Sequence, residues 1–372
     1  MMRKEVLPKP LNILLVVDSL GGGGAERAVL LQANGLIKAG HRAKILNLSG
    51  IFELPVPEGV DVIDAGLSFP IRKAAKFVGL FEDICTNLEK KFGFFDMVFA
   101  TLPMAQSLLY HSHRKYISIV QNTVSCELLD IVKLRKRLRY KRFFRRAYKK
   151  NPVVCVSNGV RDDLVERFGI PLGNCTVIHN PVDVAWVSRM ADKKYEFDSS
   201  MPQKDYILHV GRFCPQKRHD VLIRAFAQAD IPGDLVLLGQ GPFEAEIRDL
   251  VDSMGLTQRV HFLGFKENPF PYMKNARLLV LSSDFEGFGC VITESLACGT
   301  PVVSTDCPSG PREILGKDMP QCLCPPGDID ALAQKITKIW HAPPDVDYAK
   351  VIEPFTMENV ALKYASLINI NS

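Results

Sequence analysis

The sequence predicts two α/β domains of similar size, each built on a doubly wound parallel sheet. Three observations carry that prediction. Short apolar runs alternate with longer amphipathic segments along the chain, the pattern of repeated βαβ units. The alternation breaks once, at Asn180-Pro181-Val182-Asp183 and the polar stretch to Lys204. Proline and lost periodicity there mark a connection. The length of 372 residues also suits two domains. A ligand is then expected in a cleft between the domains, at the carboxyl ends of the strands.

In the first half the strand candidates are 12–18, 42–48, 96–101, 116–121, 153–157 and 175–179. Each is a short, largely apolar run. Helical periodicity fills Ala25–Ala39, Ile71–Lys91, Lys133–Lys150 and Gly159–Phe168. In the second half the strand candidates are 206–211, 235–239, 259–264, 277–283 and 301–305. Helices are predicted at Arg218–Ala229, Phe243–Met254, Gly289–Cys298, Ile329–Trp340 and Met357–Ile370.

Composition narrows the class. With 47% hydrophobic and 23% charged residues, the chain can bury a large core, which excludes disordered and collagen-like proteins. No apolar run approaches the ~18–20 residues that span a bilayer. The stretch after Met1 reads as a first strand, since Asp18 and glycines end it before any signal-peptide pattern is complete. Ten scattered cysteines, with no CxxC pair at zinc spacing, read as reduced thiols in a cytoplasmic protein.

The net charge of +5 conceals an uneven distribution. Residues 133–150 read KLRKRLRYKRFFRRAYKK, with eleven cations and no acid; the rest holds 35 bases against 41 acids. A basic amphipathic helix carrying aromatics is a membrane-surface signature. No nucleic-acid module accompanies it, so no nucleic-acid partner is expected. The expected partner of Lys133–Lys150 is an anionic membrane surface, with the protein peripheral on its inner face.

Three strings carry the chemistry. Gly21-Gly22-Gly23-Gly24-Ala25-Glu26 follows the first strand and opens a helix. Glycines there let backbone N–H groups approach a phosphate or sugar oxygen. The third glycine of a dinucleotide fingerprint is missing, and no acid ends the second strand, so a nicotinamide cofactor is not expected. Gly211-Arg212-Phe213-Cys214-Pro215-Gln216-Lys217 opens the second domain. Its planar fork and point charge suit a diphosphate. Asp284 to Pro301 places Glu286 in a loop and Glu294 on the following helix. Two carboxylates can accept bonds from sugar and ribose hydroxyls. The strings Asp328-Ile329-Asp330 and Asp345-Val346-Asp347 read as a helix N-cap and a loop, and no metal is expected.

Taken in order, the GRxxxxK turn, the FLG at 262–264, EGFGxxxxE and ACGTPVVSTDCPSGPREIL resemble glycosyltransferase family 4, the retaining GT-B enzymes. The likeness covers nearly the whole chain and points toward bacterial lipopolysaccharide, capsule and lipid-linked oligosaccharide enzymes. It implies a GT-B fold, in which two Rossmann-like domains face a cleft. The acceptor-side domain would be 1–183 and the donor domain 184–355, with 356–372 crossing back onto the first.

The resemblance also implies roles. Arg212 and Lys217 would neutralise the donor diphosphate, and Glu286 would contact the donor sugar. Gly287, Phe288, Gly289 and Cys290 would offer backbone to sugar and phosphate. Glu294 would hold the ribose, and Phe265 would sit near the base. Gly22, Gly23 and Gly24 would lie under the phosphates or the acceptor. Many family members carry a histidine after the strand that matches 116–121. Here Gln121 and Asn122 stand in its place, as candidate acceptor or sugar contacts. The expected partners are a nucleotide sugar, with UDP ahead of GDP, and a lipid-linked or glycan acceptor, with no cofactor. That departure keeps two alternatives open: a nucleotide-sugar-binding protein without transferase activity, and an epimerase of the same fold.

Overall fold

A computed structural model describes residues 10–129, 133–193, 201–202 and 205–371, with side chains as far as Leu367. Two parallel sheets organise the chain. The first holds β1 (Asn12–Val17), β2 (Arg42–Asn47), β3 (Asp61–Asp64), β4 (Met97–Thr101), β5 (Ile117–Val120), β6 (Val153–Cys155) and β7 (Cys175–Val177). Their order is β3-β2-β1-β4-β5-β6-β7. The second holds β8 (Tyr206–Val210), β9 (Asp234–Leu238), β10 (Val260–Phe262), β11 (Leu278–Leu281), β12 (Val302–Thr305) and β13 (Leu323–Cys324). Its order is β10-β9-β8-β11-β12-β13.

Helices cover both faces of each sheet, so the central strands are buried throughout: β1, β4, β9, β11 and β12 have no exposed residue. That is why they read as continuous apolar runs and not as alternating ones. β3 and β13 were not predicted. The first is a half-exposed Asp-Val-Ile-Asp edge and the second has two residues, too little apolar sequence to register as strands. Ile71–Phe77 is a 3-10 stretch leading into helix Val78–Phe92, where one helix was predicted.

The predicted linker is corrected in part. Val184–Ala191 is a helix, capped by Asp183, whose side chain accepts from the Trp186 N–H. Residues 194–200 and 203–204 of that stretch lie outside the described residues. The chain crosses between the sheets twice, and the crossings are adjacent: Val182 N–H donates to the Phe355 carbonyl, and Met357 N–H to that of Val182. Helix Met357–Asn371 then packs on helix Gly24–Lys38 of the first domain. Gly35 faces Met357 and Ala361 there, and buried Tyr364 meets Phe99 edge-on at 5.5 Å.

Candidate active site

In each sheet the strand order reverses once, between β1 and β4 and between β8 and β11. Adjacent loops diverge at such points and leave a crevice at the carboxyl ends of the strands. The three sequence strings occupy these two positions. The glycine turn follows β1, Arg212 follows β8, and Glu286 follows β11.

On the second domain, Glu286 is buried and its Oε1 accepts from Lys217 Nζ and from Ser283 Oγ, both at 2.6 Å. Its loop is held by Gln216, whose amide donates to the Phe285 carbonyl at 2.8 Å. Gly289 takes φ +85° and starts helix Cys290–Ala297, so the helix opens toward the cleft with unsatisfied N–H groups and a positive end. Burial, aided by Glu294, pushes the Cys290 thiol up to about 12, so it stays neutral. Glu294 is buried one turn further along the same helix. Arg212 is exposed on the facing loop. Of the expected diphosphate and sugar residues, Lys217 and Glu286 are in direct contact.

On the first domain, the glycine turn lies against Phe265. Gly22 has φ +91°, and a side chain there would lie 3.3 Å from the Phe265 ring. Gln121 and Asn122 follow β5 and pack against Gly287, where a Cβ would overlap the Gln121 carbonyl. Only glycine fits at that contact. Gln121 Oε1 accepts from Asn180 Nδ2 at 2.8 Å, and Asn122 Oδ1 accepts from the Thr123 N–H at 2.9 Å. Both thus have local partners in the interface.

Several residues here were not among the site residues expected from the sequence. Thr123 Oγ1 donates to the Glu286 carbonyl at 3.0 Å and lies 3.1 Å from Ser309 Oγ. Arg27 Nη1 reaches across to Glu294 Oε1 at 3.0 Å. Asp18, at the end of β1, accepts from the Met104 and Ala105 N–H groups at 2.8 and 2.7 Å. Burial pushes its carboxyl up to about 7 against those two bonds. Arg27 directly follows the glycine string, but its partner Glu294 lies 267 residues away in the sequence.

Glu313 is a fourth such residue. Its carboxylate accepts from Asn158 N and Nδ2 and from Gly159 N, and meets His179 Nε2 at 2.9 Å. Burial alone would raise it; His179, Asn158 and Gly159 outweigh that and hold it at about 2. A carboxyl depressed from 4.5 to about 2 stabilises the fold at neutral pH. That contribution is complete above about pH 4.5 and is lost as the pH falls toward 2. Glu313→Gln is expected to lower the melting temperature at pH 7 and flatten its fall between pH 4.5 and 2. An unchanged acid limb in thermal melts would remove Glu313 from this account.

The basic segment forms helix Leu134–Lys150. One part of its reading is corrected. Phe144, Ala147 and Tyr148 are buried in the first domain, and Tyr148 donates to Gln106 Oε1 at 2.8 Å. These aromatics belong to the core and face no membrane. Leu134 and Leu138 remain exposed beside the cations. Asp328 caps helix Ile329–His341 as predicted, accepting from the Ala331 N–H, while Asp347 caps the short helix Tyr348–Ile352.

Comparison with known families fits this geometry. The family described as Glycosyltransferase Family 4 matches residues 22–186, and that described as Glycosyl transferases group 1 matches residues 192–352. Together they take in most of the chain. The chain belongs to glycosyltransferase family 4. Among its relatives is the N-acetylgalactosamine-N,N'-diacetylbacillosaminyl-diphospho-undecaprenol 4-alpha-N-acetylgalactosaminyltransferase of Campylobacter jejuni. It is 38% identical over 162 residues, 44% of this chain and 43% of that one. The lipopolysaccharide 1,6-galactosyltransferase of Salmonella typhimurium is 28% identical over 214 residues, 55% of this chain and 56% of that one. This family 4 chain thus spans about half the length of the curated relatives it matches. The crystal structure of Anabaena Alr3699/HepE in complex with UDP and glucose shares the GT-B fold. It superposes with a TM-score of 0.75 at 19% identity, covering 96% of this chain and 99% of that one.

Proposed function

We propose that this chain is a retaining glycosyltransferase that moves a hexose or N-acetylhexosamine from a UDP-linked donor to a lipid-linked glycan. The observation that carries the reading is the buried Lys217–Glu286 pair in the loops that precede helix Cys290–Ala297, with Glu294 buried one turn along that helix. In the reaction the bond from the anomeric carbon to the diphosphate breaks, and its electron pair leaves with the phosphate. An acceptor oxygen bonds to that carbon on the same face and gives its proton to the departing phosphate. Arg212, Lys217 and the helix end supply fixed positive charge where negative charge develops, the largest single source of rate enhancement in many enzymes. Lys217 and Ser283 hold Glu286, which suits it to orient the sugar hydroxyls. Glu294 takes the ribose.

The names of the Campylobacter and Salmonella relatives support a lipid-linked or cell-surface acceptor. The basic helix supports the same reading. Near its start Leu134 and Leu138 are exposed beside the cations. Toward its other end, Arg142, Arg145, Arg146, Lys149 and Lys150 surround a groove of about 560 Å³ beside Tyr110. Each cation near an anionic leaflet contributes about 1 kcal/mol. No described helix is long and apolar enough to cross a membrane, so this reading is of peripheral attachment on the inner face.

The test is transfer from a panel of UDP- and GDP-linked sugars to a membrane lipid extract. A product with the donor's anomeric configuration is expected from one UDP-sugar. Nucleotide binding without transfer to any acceptor would instead identify a binding protein, and an epimerised donor without acceptor an epimerase. Salt-sensitive binding to anionic vesicles is expected in parallel. Equal binding to neutral vesicles, or none to either, would refute the membrane role of the basic helix.

A further inference from the structure

Arg27 is a first-domain side chain in a second-domain site. It leaves the first turn of helix Gly24–Lys38 and reaches Glu294 Oε1 at 3.0 Å, 267 residues away in sequence. Both side chains are largely shielded, at 15% and 12% exposed. The guanidinium also lies over the Phe270 ring, 5.4 Å from its centroid. The first turn of that first-domain helix thus presents a base to Glu294.

We infer that Arg27 sets the affinity for the donor nucleotide by competing with its ribose hydroxyls for the Glu294 carboxylate. The inference rests on the proposed reading of Glu294 as the ribose residue. A carboxylate offers about four acceptor positions on its two oxygens, and Arg27 takes one of them. A ribose whose hydroxyls need that position must displace that bond. Removing Arg27 leaves a shielded carboxylate without its cation, which is unfavourable. A ligand that hydrogen-bonds Glu294 relieves that penalty, so binding tightens. A residue that merely supports the fold would act in the opposite sense.

The experiment measures binding of UDP, with GDP alongside, to the full chain by titration calorimetry and thermal shift. Arg27→Met removes the charge and keeps an apolar stem over Phe270. It is expected to lower the melting temperature without nucleotide. It should also lower the UDP Kd about tenfold, the scale of one hydrogen bond to a charged group. Arg27→Lys should keep a Kd near that of the native chain, and Arg27→Met combined with Glu294→Gln should show no gain. Weaker or unchanged UDP binding in Arg27→Met would overturn the inference. If that variant fails to fold, Arg27→Gln serves the same comparison. Glu294→Gln alone separates the two claims: unchanged UDP binding there would overturn the ribose assignment itself, whatever Arg27 does.

Discussion

Arg212→Ala is expected to reduce the turnover number about 10²–10³-fold, the usual cost of removing one preorganised group that stabilises transition-state charge. The melting temperature should stay close to that of the native chain, because Arg212 is exposed on the loop after β8. That combination is informative. Lys217 and Glu286 are bonded to each other, so a change at either removes chemistry and leaves a shielded partner charge behind. Arg212 can be removed with less disturbance. Steady-state kinetics with the active donor, beside a thermal melt, decide the matter. Turnover within threefold of the native value would remove Arg212 from the diphosphate site. A large fall in melting temperature would instead assign it a structural role.

Gly287→Ala is the second large effect. A Cβ at this position overlaps the Gln121 carbonyl of the other domain. Backbone cannot give way as the end of a flexible side chain can. The two loops must separate, at a cost typical of overpacking, about 1–3 kcal/mol. If transfer requires this contact, turnover should fall roughly ten- to hundredfold with little loss of fold. Small-angle scattering should show a larger radius of gyration than in the native chain. Normal turnover with unchanged scattering would mean that the domains meet differently during catalysis.

Much of the fold was legible because buried parallel strands leave unbroken apolar runs and the crossover helices leave a different period. The exceptions had little apolar surface to betray them, as at β3 and β13. Helix Val184–Ala191 was hidden because Pro181 and the polar stretch that follows Ala191 read together as one linker. The Lys217–Glu286 contact joins two short strings, in which glycines and charges recur at fixed offsets, so both of its members were conspicuous in the sequence. Arg27, Thr123, Asp18 and Glu313 were not legible as site or interface residues. Each works through a partner brought near by the tertiary fold, between 86 and 267 residues away. Spacing along the chain encodes local geometry and is silent about such pairs. The aromatics of the basic helix show the converse: their period was read correctly, but period alone does not say which surface they cover.

The packing of helix Met357–Asn371 on helix Gly24–Lys38 bears on how the protein is made. The strands and crossover helices of the first domain are all synthesised before residue 184. The surface around Gly35 and Phe99 waits for Met357, Ala361 and Tyr364. A growing chain therefore carries an unfinished first domain until helix Met357–Asn371 emerges. Maturation of the first domain is thereby tied to synthesis of the second.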